Sequence, residues 1–262
     1  MKNAQDSIPP LADLHVLITG AGSGIGAATA RMAAAQGAHV TVTDLIGSTA
    51  DAVAEDIRAA EGRASSLAVD VSDEEQVRMM FSDAAAAAGP VHGVVNNAGI
   101  IVTAPLEETS LQDWQRCMEV NAQGTFLGCK YAVRHFIEHD TAGTIVNTAS
   151  ISALTGQHGQ AAYAASKGAI LQLTRQIAVE HAARGIRCNS VGPGSVHSAI
   201  LDSFLNSQSD PHSAAEKLAA THPMRRIGEP EEIAAAMCFL LSPAASFITG
   251  TNIQADGGYT AA

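Results

Sequence analysis

The chain has 262 residues, 47% hydrophobic and only 16% charged, which suits one large α/β domain with a sizeable core. Its formal net charge of −11 would repel a nucleic-acid backbone or an anionic membrane, and no run of about 18 apolar residues is present to cross a bilayer. Residues 1–13 lack the apolar run of a secretory leader. Cys117, Cys129, Cys188 and Cys238 lie far apart in apolar segments, so reduced core thiols of a cytoplasmic protein are expected, and no metal site.

The first strand is expected at 15–19, running into Thr19-Gly20-Ala21-Gly22-Ser23-Gly24-Ile25-Gly26 and a helix over 25–36. In that setting glycines let the backbone approach a pyrophosphate, and the helix N-terminus supplies N–H groups and a positive dipole. The strict GxGxxG register fails, because Ile25 stands in its last glycine slot. A strand follows at 39–43, ended by Asp44. An acid there accepts hydrogen bonds from adenosine ribose hydroxyls and repels a 2′-phosphate. No Arg or Lys stands at 21–25 or 45–46 to hold such a phosphate, although capping of a helix over 50–60 competes for Asp44.

Strands at 66–69, 93–96, 144–147, 187–191 and 252–254 then alternate with helices over 73–88, 110–138, 163–183 and 230–241. Most strands are near-continuous apolar runs, as parallel strands buried on both faces require, so a doubly wound parallel sheet is expected. The long irregular stretch 193–228 carries helical pieces at 199–206 and 213–220 and reads as a lid within a single domain spanning 1–262. Ile200, Leu201, Phe204 and Leu205 give it an apolar face, which could cover an apolar substrate or simply pack the segment down.

Tyr163 and Lys167 stand four apart, on one face of their helix, with Ser150 thirteen positions earlier. A nearby ammonium is expected to lower the phenol from its usual value of about 10 and make it a proton donor and acceptor. Alone the pair is weak, since a surface Lys beside a half-buried Tyr would read the same.

Together these residues resemble the short-chain dehydrogenase/reductase family in its form of about 250 residues, from Leu11 to Tyr259. Gly20, Ser23, Gly24, Ile25 and Gly26 look like its cofactor turn, and Asp70-Val71 like its adenine-contacting pair. Asn96-Asn97-Ala98-Gly99 is similar to its NNAG motif. Asn121, Ser150, Tyr163 and Lys167 match its catalytic positions. Pro193-Gly194, Val196 and Ser198 resemble its nicotinamide-end segment, with Ser198 in place of the usual Thr. Asp256-Gly257-Gly258 resembles its C-terminal signature.

The resemblance implies a Rossmann-type fold of about seven strands with helices on both faces, and hydride transfer between NAD(H) and a small-molecule secondary alcohol or ketone. It assigns Tyr163 the proton transfer and Ser150 the substrate oxygen. Lys167 would tune the phenol and bind the nicotinamide ribose, and Asn121 would extend a proton relay through its backbone and water. Ser150 as a plain turn residue and Asn121 as a helix-kink residue are the alternatives. A homotetramer pairing the helices at 110–138 and 163–183 is expected. Ser152, Leu154 and His158 fall on the substrate side, while Arg225 and Arg226 stand where the family's basic residues serve the scaffold. Two other readings are an NADPH-dependent 3-oxoacyl-thioester reductase, which Asp44 and Ser23 oppose, and a non-catalytic nucleotide sensor, which should have lost Tyr163 or Lys167.

Overall fold

A computed structural model of the chain describes residues 10–206 and 209–262, with only the backbone at 199, 200 and 203. The segment 1–9, part of the leader reading, and the Ile200 side chain therefore lie outside the described residues. The strands are β1 (His15–Thr19), β2 (His39–Asp44), β3 (Arg63–Ala68), β4 (Gly93–Asn96), β5 (Thr144–Thr148), β6 (Arg187–Pro193) and β7 (Asn252–Ala255). They form one seven-stranded sheet in the order β3-β2-β1-β4-β5-β6-β7, every pairing parallel. The order reverses between β1 and β4, and ligands of open α/β sheets bind in the crevice beyond the strand ends at such a point.

The pleat decides which residues pack where. Val16 and Ile18 of β1 join Met237 and Leu240 in one core layer, while Leu17 between them joins Phe81 and Phe136 in the other. The first layer lies under α1 (Gly24–Ala35) and α9 (Pro230–Leu241), the second under α3 (Glu74–Ala88), α5 (Gly124–Glu138) and α6 (Ala161–His181). Helices thus cover both faces, so β1, β4 and β5 are buried throughout. Each fully buried Ile or Leu side chain contributes about 1.5–3 kcal/mol by its removal from water.

Several boundaries differ from the sequence reading, most of them by one or two residues. β3 starts at Arg63 rather than 66 and is half-exposed along its length. It is an edge strand whose pairing to β2 is polar, with the Thr41 and Ser65 hydroxyls 3.0 Å apart, so no apolar run marks it. The helix α2 (Gly47–Ala59) begins before 50. The expected single helix over 110–138 is α4 (Leu111–Cys117), a π-helical turn Met118–Gln123, and α5. There the Asn121 side chain pairs with both backbone groups of Ile100, and the wide turn carries that insertion. In the 193–228 segment α7 (Ala199–Asn206) is followed by α8 (Pro211–Ala220). α8 starts two residues early because Asp210 caps it through the Ser213 N–H (3.1 Å), with Pro211 opening the first turn.

Candidate active site

The glycine turn between β1 and α1 is shaped for a close-lying ligand. Gly20 has φ +61°, and a Cβ there would stand 2.7 Å from the Ala98 Cα, so the turn seats directly on the loop after β4. Asn97 fastens the two together: its Nδ2 donates to the carbonyls of Thr19 (3.1 Å) and Gly20 (2.9 Å), and its N–H to the Thr19 hydroxyl (3.0 Å). Gly24 has φ +51°, with the Ser198 Cβ 3.6 Å from where its own Cβ would be. Ser23 makes no side-chain cap and α1 has no acid in its first turn. The N–H groups and positive end of α1 are thereby left to an anion. Ile25 instead packs against the core layer, which gives the departure from GxGxxG a structural use. Gly26 sits tight against the Asn97 amide.

Asp44 stands at the end of β2 beside this turn. Its carboxylate accepts the N–H groups of Gly22 (3.0 Å) and Ile46 (3.2 Å). It does not cap α2, whose N-cap is Ile46. The carboxylate of Asp70 accepts both the N–H (2.9 Å) and hydroxyl (2.6 Å) of Ser72, and Val71 is buried against Gly124. Gly194 pairs its N–H with the Ala255 carbonyl just past Pro193, Val196 is buried, and the Ser198 hydroxyl accepts the Leu201 N–H (3.2 Å). These residues, with Gly99, lie along the C-terminal ends of the strands. A dinucleotide fits this donor set: a backbone cradle and helix terminus for the pyrophosphate, and a carboxylate for the ribose.

The catalytic candidates converge beside it. Lys167 is buried, donates to the Thr148 carbonyl at 2.8 Å, and stands 5.5 Å from the centroid of the Tyr163 ring. Gly99 lies against Asn121 and Lys167: a Cβ there would be 3.2 Å from Asn121 Oδ1 and 3.7 Å from Lys167 Nζ. The electrostatics correct the sequence reading. Burial pushes Tyr163 up to about 12, a Ser150 hydrogen bond pulls it part way back, and Cys117 pushes it up further. Burial likewise brings Lys167 down to about 8. In the protein alone desolvation, rather than the ammonium, governs the phenol.

Asn121 is fully engaged: Oδ1 accepts the Ile100 N–H (2.8 Å), and Nδ2 donates to the Ile100 carbonyl (2.9 Å) and Ser166 hydroxyl (3.0 Å). Ser150 opens a short 3-10 turn, Ile151–Ala153, and accepts the Ser152 N–H (3.1 Å). The sequence reading missed Gln160, whose amide oxygen accepts the Ser152 hydroxyl at 2.9 Å. Its only advance signal is a Gln at the N-cap of α6, a position that ordinarily favours Ser, Thr, Asp or Asn.

His158 is exposed and lines a cavity of about 530 Å³ with Leu106, Glu107 and Gln160. Leu154 is exposed and Ser152 buried. Arg226 forms a two-pronged pair with Glu232 (2.6 and 2.5 Å), and Arg225 donates to the Ala220 carbonyl, so both are engaged within the fold. A second cavity, of about 350 Å³, lies between residues 222–228 and β7, away from Tyr163.

A family model described as Enoyl-(Acyl carrier protein) reductase matches residues 20–260. The chain is 41% identical over 246 residues to meso-2,3-butanediol dehydrogenase of Serratia marcescens, covering 94% of both. It is also 41% identical to cis-4-hydroxycyclohexanecarboxylate dehydrogenase of Sinomonas cyclohexanicum, covering 95% of this chain and 98% of that one. Its fold superposes on the crystal structure of levodione reductase with a TM-score of 0.92 at 36% identity, over 96% of this chain and 99% of the other. The chain therefore belongs to the short-chain dehydrogenase/reductase family, as an alcohol/ketone oxidoreductase that uses a nicotinamide cofactor.

Proposed function

We propose that this enzyme is an NAD-dependent dehydrogenase of a small, neutral secondary alcohol, with Tyr163 as general acid and base. Asp44 carries the cofactor choice. Its carboxylate lies beside the glycine turn with exposed Leu45 and Ile46 following it, so a 2′-phosphate would meet a negative charge with no Arg or Lys at 21–25 or 45–46 to offset it. Gly20, Ser23, Gly24, Ile25, Gly26 and the α1 terminus would hold the pyrophosphate. Asp70, Val71, Asn97, Ala98 and Gly99 would line the crevice, and Pro193, Gly194, Val196 and Ser198 its nicotinamide end. The bound cofactor supplies the hydride acceptor, or the donor in reduction.

The chain's own residues handle the proton. Tyr163 takes it from the substrate hydroxyl in oxidation and returns it in reduction. Ser150 donates a hydrogen bond to the same oxygen and fixes its place. Lys167, beside the phenol, would bind the nicotinamide ribose and favour the phenolate against the desolvation that governs it in the protein alone, and the Asn121 backbone would carry the relay outward. The butanediol and levodione named for two relatives support a neutral substrate, as does the engagement of Arg225 and Arg226 within the fold, while the hydroxycyclohexanecarboxylate named for a third supports only the secondary alcohol. Residues 193–228 act as a lid in the single domain 1–262, with Leu201 packed down.

The test is kcat/KM for NAD and NADP with one fixed alcohol. We expect at least a roughly 100-fold preference for NAD, since each 1.4 kcal/mol of repulsion is about tenfold. Asp44→Ala should weaken NAD use and narrow the ratio. A wild type that prefers NADP would show that Asp44 does not face the ribose, and would restore the 3-oxoacyl-thioester reductase reading.

The same proposal includes a cytoplasmic homotetramer. Leu111, Trp114 and Phe126 on α4 and α5, and Val179 on α6 at 82% exposure, leave an apolar surface on the expected pairing helices. Light scattering at micromolar concentration should give about four times the 26.9 kDa chain mass; a monomer contradicts it.

A further inference from the structure

The hydroxyl of Ser150 has one proton and two lone pairs to place. One lone pair is committed to the Ser152 N–H, at 3.1 Å. Two directions remain for the proton: inward to the Tyr163 phenol and the substrate oxygen, or sideways to the Ser152 hydroxyl, 3.3 Å away. The Ser152 hydroxyl sends its own single proton to Gln160 Oε1 at 2.9 Å, so toward Ser150 it presents only lone pairs. Gln160 is itself held in place. It forms a bridge with Ala104 of the loop after β4, where the Ala104 N–H donates to the Gly159 carbonyl at 2.9 Å. A directed row therefore runs from Ser150 through Ser152 to Gln160, with Ser150 and Ser152 buried.

We propose that Ser152 and Gln160 are positioning residues that set the direction of the Ser150 hydroxyl, drawing its proton partly off the phenol until a substrate oxygen competes for it. This rests on the reading of Ser150 as the group that contacts the substrate oxygen. Neither residue touches the reacting atoms; each acts through Ser150.

The consequence has a sign. A Ser150 proton turned onto the phenol oxygen favours the phenolate, the base needed for alcohol oxidation. Ser152→Ala removes the competing acceptor while keeping the backbone N–H, so it releases that proton toward Tyr163. Gln160→Leu frees the Ser152 proton to turn onto Ser150, with the same result. Gln160→Glu retains an acceptor and should not have this effect. Among the described residues, Lys167 and Cys117 are the charged or titratable groups acting on the phenol besides Ser150, and all three changes leave them in place.

The experiment is the pH profile of kcat/KM for the alcohol with saturating NAD, which reports the phenol before the alcohol binds, with NADH binding followed by fluorescence to certify each variant. In Ser152→Ala and Gln160→Leu the alkaline-rising limb should move down by about half to one pH unit, the size of one neutral hydrogen bond. Gln160→Glu should show no downward shift. In a Ser150→Ala background the Ser152 and Gln160 substitutions should no longer move the limb. Profiles that stay in place, or downward shifts that persist without Ser150, overturn the proposal. Near-normal turnover in Ser150→Ala would instead overturn the reading of Ser150 on which it rests, a distinct result.

Discussion

The two ends of this sheet bury titratable groups by the same physics and use them differently. At the C-terminal end, burial drives Tyr163 up to about 12 and Lys167 down to about 8, next to a crevice shaped for a ligand. At the N-terminal end, burial lowers His15 and His135 to about 4 and also lowers His39 and His92. The rings there are built into the scaffold as neutral groups. The Val91 N–H donates to His135 Nε2 (2.9 Å) and the His15 N–H to His92 Nδ1 (3.1 Å). Both nitrogens must stay unprotonated to accept. His15 bridges the Gly89 carbonyl and the Thr41 hydroxyl, both at 2.8 Å. A displaced pKa is thus a reagent where substrate has access, and only a structural commitment where a ring nitrogen is held by the fold.

The largest expected effect lies at the upper end. Tyr163→Phe keeps the ring and removes the proton carrier, so turnover should fall by about 10²–10⁴ while NADH binding is retained. Lys167→Met should harm both, because one buried ammonium serves the phenol and the ribose. In the wild type, alcohol oxidation should rise with pH and ketone reduction should fall, since oxidation uses the phenolate and reduction the phenol. Near-normal turnover of purified Tyr163→Phe would remove the distinction between the two ends.

The lower end predicts acid sensitivity. For His15 and His135 the folded value, about 4, lies below the unfolded value of 6.5. Between those values the unfolded chain binds more protons, so stability is intact above pH 6.5 and declines as pH falls toward 4. Each ring accounts for up to about 3 kcal/mol of that loss, from 2.5 pH units at 1.36 kcal/mol each. Urea unfolding by circular dichroism at pH 7.5, 6.0 and 5.0 measures it. His135→Gln, which keeps an amide oxygen for the Val91 N–H, should lose less stability over the same range. A wild-type midpoint unchanged from pH 6.5 to 5 would contradict the assignment.

What could be read in advance divides along similar lines. β1, the glycine turn, Asp44 and the Tyr163–Lys167 pair are legible because strand, turn and helix spacing are local. Asp44 earns a further distinction: its neighbours, Leu45 and Ile46, are neutral in the sequence itself. The start of β3, residues 63–65, was hidden because Ser65 pairs with Thr41 along a polar edge, where burial does not select apolar residues. The π turn was hidden because its cause is the bond between Asn121 and Ile100, twenty-one residues apart. Gln160 and the histidines share that difficulty. His15, His92 and His135 acquire meaning only when the sheet and α5 bring their ends together.

A surface pair sharpens the comparison from the other side. Arg31 of α1 and Asp56 of α2 form an ion pair at 2.7 Å, with side chains 49% and 61% exposed. It is shorter than most contacts at either end of the sheet, yet water already solvates both partners, and ordering two long side chains offsets much of the Coulomb gain. Arg31→Ala should therefore change stability by about 0.5 kcal/mol or less, a shift that shrinks further in 0.5 M salt. Kinetics and cofactor binding should be unaltered. If urea unfolding gave a loss as large as that expected for His135 at pH 5, proximity rather than desolvation would be the governing variable, and the contrast between the two ends of the sheet would have to be rebuilt on distance alone.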